Sequence, residues 1–146
     1  MLPHGRDHFQ STLVDNKLYA AGGRTTSQIT GHIFDLVVNS LDIYDFENNS
    51  WSTQASPLPT GRAGNTTTTV DKQVWVIGGE SMTDVKAHNE VEVFDTTTEQ
   101  WITGPALNRG RHGTGAVMID QHLWTASGCG NRGGSPELKS VEKLAL

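Results

Sequence analysis

Three segments of the chain superimpose on one another without a gap, and every marker they share keeps the same offset. They run from Gly5-Arg6 to Gly23, from Gly61-Arg62 to Gly79, and from Gly110-Arg111 to Gly128. In each, an arginine precedes an aspartate by nine residues: Arg6/Asp15, Arg62/Asp71 and Arg111/Asp120. A glycine follows each aspartate by eight residues: Gly23, Gly79 and Gly128. The offsets between copies are 56 and 49 residues. A period of this size marks a repeat architecture, in which one unit cannot bury its apolar face alone and stacks on the next.

The second half of the unit repeats as well. Leu41-Asp-Ile-Tyr-Asp45 matches Val91-Glu-Val-Phe-Asp95, with Trp51 and Trp101 each seven residues beyond Tyr44 and Phe94. Val141-Glu-Lys-Leu144 opens a third copy. Within a unit the pattern predicts four strands. The first covers Phe9–Val14, Asn65–Val70 and Thr114–Ile119, and the second Leu18–Ala21, Val74–Ile77 and Leu123–Ala126. Two-residue loops at Asn16-Lys17, Lys72-Gln73 and Gln121-His122 join them as hairpins. The third strand alternates, as in Val91-Glu92-Val93, which predicts one buried and one wet face. The fourth carries the tryptophan, and Pro57, Pro59 and Pro105 then end the sheet edge.

Composition agrees with an all-β chain: 16 glycines, many threonines and serines, and 35% hydrophobic residues. The net charge of −5 gives no basic footprint for nucleic acid. Cys129 is the single cysteine, which excludes an intrachain disulfide and a multi-cysteine zinc cage. No apolar run approaches the ~20 residues of a membrane span, and no partner membrane is expected. The compartment stays open, with a lean to the cytoplasm. The six histidines are irregularly spaced, so no metal site or cofactor is expected. No Gly-x-Ser-x-Gly elbow occurs, and no catalytic residue is assigned.

The double glycine, the aromatic and the tryptophan seven residues later, in a unit near 50 residues, resemble the kelch repeat. Gly22-Gly23/Tyr44/Trp51 and Gly78-Gly79/Phe94/Trp101 fit the pattern. The third unit departs from it, with Ser127-Gly128 in place of the double glycine and Leu144 in place of the aromatic. The resemblance implies kelch-type β-propeller blades of four antiparallel strands. All of 1–146 reads as one partial propeller: blade 1 about 5–60, blade 2 about 61–109, and an incomplete blade 3 about 110–146. Propellers close with 4–8 blades, so three form an arc. Either the chain is the C-terminal half of a six- or seven-bladed protein, or two copies close a six-bladed ring as a homodimer.

Antiparallel connection places the loops between second and third strands, and the links between blades, on one face. Directly after the glycines stand Arg24, Glu80 and Cys129, three chemistries at one repeat position. The loops they open differ in length: Arg24 to Asn39, Glu80 to Asn89 and Cys129 to Lys139. Variable loops on a rigid scaffold carry binding. The binding candidates are Arg24, Arg62, Glu80, Arg111, His112, Asn131 and Arg132. Cys129-Gly-Asn-Arg-Gly-Gly134 reads either as backbone donors for an anion, aided by Arg132, or as a flexible turn. The resemblance implies a protein or peptide ligand on this face. It also admits a carbohydrate-handling protein like the sialic acid mutarotases, with Arg24 and Glu80 at the channel mouth, or an inactive part of a larger kelch protein.

Overall fold

The computed structural model describes residues 1–146 as eleven strands and no helix, so no helix is long and apolar enough to cross a membrane. The first sheet holds β1 (Gln10–Val14), β2 (Lys17–Ala21), β3 (Leu41–Asp45) and β4 (Ser50–Thr53). The second holds β5 (Thr66–Val70), β6 (Gln73–Ile77), β7 (Val91–Asp95) and β8 (Gln100–Thr103). The third holds β9 (Gly115–Ile119), β10 (His122–Ala126) and β11 (Val141–Ala145). Within each sheet the strands pair antiparallel in chain order, which makes each one a propeller blade.

The hairpin loops lie one residue earlier than the sequence reading placed them. Val14 pairs with Lys17, Val70 with Gln73 and Ile119 with His122, so the aspartate itself is the first loop residue. Asp15, Asp71 and Asp120 have φ of 45°, 51° and 49°. A tight hairpin turn needs positive φ there, and aspartate tolerates that region better than most residues. This is why the marker repeats. At the far end of the unit, Asp45 accepts the backbone N–H groups of Glu47 and Asn48, and Asp95 those of Thr97 and Thr98. These bonds, the Asn48 and Thr98 N–H groups foremost, hold both carboxyls below the ordinary aspartate range.

The core lies between sheets. Val14, Tyr19, Ala21 and Leu41 of the first sheet pack on Val74, Val76 and Phe94 of the second, with Leu58 from the link. Trp75, Ile77, Val91 and Val93 of the second then pack on Leu123 and Leu144 of the third, with Leu107 from the next link. Each fully buried aliphatic or phenyl side chain contributes roughly 1.5–3 kcal/mol. Leu144 occupies the place that Phe94 fills in the second blade. Trp101 stacks tilted on Phe94 at 5.2 Å and donates Nε1–H to Ser56 O at 3.0 Å.

Near the axis the first strands meet, with Thr12 and Thr69 hydroxyls 2.6 Å apart and Thr69 Oγ1 donating to Leu13 O. Gly23 N–H donates to Arg62 O, and Gly79 N–H to Arg111 O, both at 2.9 Å. Gly22 and Gly78 have φ of 73° and 62° and face the next sheet closely. Ser127, φ 58°, holds the equivalent place on the third sheet, whose outward face has no neighbour.

The alternation of the third strand corrects the expected wet face. Val91 and Val93 are buried as expected, but Glu92 between them is 7% exposed, and Asp42 and Glu142 are buried as well. The reason is a buried arginine in every blade. Arg6 pairs with Asp42, Arg62 with Glu92 at 2.5 Å and Arg111 with Glu142 at 2.5 Å.

Candidate functional site

The repeated arginines do not reach the loop face. Arg62 and Arg111 are fully buried, and their guanidinium groups are turned into their own blades. Arg62 donates to the carbonyls of Gly78, Thr60 and Val76 in addition to Glu92. Arg111 donates to Ser127 O and Ser140 O besides Glu142. Each carboxylate also pins the incoming link: Glu92 accepts Thr60 N–H and Oγ1–H, and Glu142 accepts the N–H groups of Asn108 and Arg109. Burial lowers the pKa of the third member, Arg6, and Asp42 opposes that shift. A buried guanidinium tied to a carboxylate and to several carbonyls is a staple, although Arg111 Nε is left without a partner.

The loop face is built one residue further on. Beyond Gly23, Gly79 and Gly128 the sheet continues as a reciprocal backbone bridge: Asp7 with Arg24, Ala63 with Glu80, and His112 with Cys129. N–H and C=O are exchanged at 2.7–3.1 Å in all three. This shared bridge makes positions 24, 80 and 129 geometrically equivalent and fixes where their side chains start. Cys129 is half-buried and free.

From that frame the side chains of three blades meet. Arg24 Nη1 donates to Glu80 Oε1 at 3.1 Å. Glu80 Oε2 accepts Gly133 N–H at 2.8 Å and lies 3.5 Å from His112 Nε2. His112 Nε2 lies 2.9 Å from Asn131 O, and because a carbonyl only accepts, that nitrogen carries the proton. Arg24, Glu80 and His112 are all buried. Arg24 Nε is buried without a hydrogen-bond partner, with Asp7 Oδ1 3.8 Å away. The ring of Phe34 serves two cations, Arg24 at 4.9 Å and Arg132 at 5.6 Å from its centroid. Arg132 holds only long contacts, 3.4 Å, to Met82 O and Asp84 O.

Of the residues singled out from sequence, Arg24, Glu80, His112, Asn131 and Arg132 share this network, and Arg62 and Arg111 stand outside it. Asp7 and Phe34 join it unannounced, whereas Gly133 belongs to the glycine-rich segment read as a source of backbone donors, and the carboxylate it meets is that of Glu80. Arg24 and Glu80 do converge as a sugar site requires, but on each other. A second chain of polar groups lies in the loop after β6, where His88 bridges Ser81 Oγ at 2.8 Å and Glu90 Oε2 at 3.0 Å. Ser81 is buried, and its Oγ also contacts Thr83 Oγ1 and accepts Thr83 N–H, so this chain fastens the loop. Burial pushes the Glu90 carboxyl up, but its backbone N–H, His88 and Arg62 together hold it below the ordinary range. No three His, Cys, Asp or Glu side chains converge closely enough to hold a metal ion.

Blades of this topology, joined by glycine-to-arginine backbone bonds and stacked through alternating aliphatic and aromatic faces, define a β-propeller repeat protein. The family model described as the KLHDC2/KLHL20/DRC7 Kelch-repeats domain matches residues 1–128, and the chain belongs to the kelch-repeat family. It is 39% identical over 82 residues to Tip elongation aberrant protein 3 of Schizosaccharomyces pombe, covering 54% of this chain and 7% of that protein. It is 26% identical over 119 residues to Kelch-like protein terF of Aspergillus terreus, covering 80% and 25%. Kelch domain-containing protein 3 of Bos taurus is 25% identical over 142 residues, covering 92% and 35%. The chain thus spans about a third or less of the length of these relatives.

Proposed function

We propose that the chain is a kelch-repeat binding scaffold whose loop face takes a protein or peptide ligand through Arg24, Glu80, His112, Asn131 and Arg132. The observation that carries this reading is the Arg24–Glu80–His112 network. It draws one side chain from each blade, leaves Arg24 Nε unbonded, and presents Phe34 and Arg132 beside it. Arginine and aromatic side chains held rigid at the centre of a surface are the usual anchors of an interface. The test is selection of a random dodecapeptide library on the immobilised chain. Binders are expected to weaken about tenfold, or about 1.4 kcal/mol, on Arg132→Ala or Phe34→Ala. Unchanged affinity in both variants overturns the reading.

Ring closure by a second copy is supported by the two outward faces. Leu41 and Val91 are sealed between sheets at 0% and 1% exposure, whereas Val141 at the equivalent place is 61% exposed, with Ile119 at 53% beside it. The first sheet turns Leu18, Tyr44 and Trp51 outward in the same manner. A copy seating one face on the other would bury both and give six blades, removing the open arc's exposed faces. Light scattering is expected to give twice the chain mass, falling to one chain mass in Val141→Lys. A monomer at every concentration refutes closure.

A further inference from the structure

The loop after β6 and the loop after β10 enclose a cavity of about 620 Å³ on the loop face. Its floor forms where backbones approach most closely. A Cβ on Gly110 would lie 1.9 Å from Ala87 O, and one on Gly130 would lie 3.2 Å from the Arg109 guanidinium. Of the twelve lining residues only Ala87 is hydrophobic, and none is a phenylalanine, tyrosine or tryptophan. The volume suits a small ligand or a few side chains of a larger one. The polar walls, whose one ring is the His88 imidazole held between Ser81 and Glu90, favour neither an apolar group nor a sugar face.

The carboxylates around the cavity are already engaged. Glu90 holds His88 Nδ1 at 3.0 Å, and Asp84 accepts Lys86 N–H at 3.0 Å. Beneath, Glu142 takes the backbone N–H groups of Asn108 and Arg109 at 2.7 and 3.1 Å, together with the Arg111 guanidinium. The cations are not engaged. Neither Lys86 nor Arg109, both exposed on the wall, forms an ion pair. Of the charged side chains on the wall, those left without a partner are thus the two cations, a point charge from lysine and a planar fork from arginine. Asn131 lines the cavity, and its carbonyl is the partner of His112, so the cavity adjoins the three-blade network.

We infer that this cavity receives an acidic side chain of the peptide ligand, held between Lys86 and Arg109. The inference rests on the loop-face reading and adds the chemistry of the partner to it. Among dodecapeptides selected on the chain, aspartate or glutamate is expected to recur at a fixed position. The double variant Lys86→Gln/Arg109→Gln is expected to weaken binding about tenfold or more and to flatten its dependence on salt. Both side chains are exposed, so circular dichroism and the melting temperature are expected to stay as in the parent. Binders without a recurrent acid, or an affinity that the double variant leaves unchanged, overturn the inference and leave the loop-face reading standing. A library that yields no binder removes the loop-face reading and this inference with it.

Discussion

Arg62→Ala is expected to lower the unfolding free energy by about 3–5 kcal/mol, the usual cost of leaving one member of a buried ion pair alone. The argument is local and complete. Arg62 is fully buried, and its guanidinium serves Glu92, Gly78 O, Thr60 O and Val76 O. Alanine leaves the Glu92 carboxylate, only 7% exposed, with Thr60 as its remaining donor. It also frees the link that carries the chain from the first blade to the second. Domains of this kind hold only about 5–15 kcal/mol in total. With a urea slope of about 1–3 kcal/mol/M, the midpoint should fall by at least about 1 M. Replacing both partners, Arg62→Met with Glu92→Leu, is expected to restore part of the loss, because no charge then stays buried while Gly78 O, Thr60 O and Val76 O still lack the guanidinium. A single-variant loss below about 1 kcal/mol would mean that solvent reaches the pair.

The second large effect is expected at Gly78→Ala. A Cβ there would lie 2.3 Å from Arg111 O, a backbone atom of the next blade, and the residue sits at φ +62°. The left-handed conformation alone costs about 1–2 kcal/mol for an L-residue, and overpacking adds about 1–3. The sum, about 2–5 kcal/mol, falls on the joint that Gly79 N–H bonds to Arg111 O. Gly5→Ala is a control at a different repeat position, one where no blade comes close. It opens a repeated Gly-Arg pair, a Cβ there meets nothing within 4 Å, and its thermal midpoint should match the parent. Equal effects at the two positions would show that the glycine matters for chain stiffness, not for the approach of blades.

The strands and their hairpins were legible because each marker is local. Asp15, Asp71 and Asp120 stand at one spacing from their neighbours since the turn demands a residue that accepts positive φ. The staples were not legible, because their partners lie across loops of unequal length. Arg6 is 36 residues from Asp42, Arg62 is 30 from Glu92 and Arg111 is 31 from Glu142. A repeated arginine beside a link then reads as exposed, and an acid alternating with valines reads as wet. The signal that could have joined them was the acid two residues before each aromatic or leucine: Asp42, Glu92 and Glu142. In the network, Arg24 and Glu80 stood out by breaking the repeat at a shared position. Gly133 was legible only as part of a glycine-rich run of backbone donors, and Phe34 lies inside a loop that has no counterpart register, so no comparison between copies could point to it.

Ser127 gives the arc a handed defect. Where Gly22 and Gly78 turn only hydrogen toward the following blade, a Cβ would come within 2.8 and 2.3 Å of that blade's arginine carbonyl. Ser127 carries such a Cβ on the outward side of the third blade. Whatever blade seats there, the joint cannot repeat the two internal ones; it must stand off or slide along the strands. A six-bladed ring of two copies, as proposed above, would therefore have two such seams, each with looser contact than the internal joints. Heat, solvent or mechanical pull would part such a circle at those two seams first, into its two arcs.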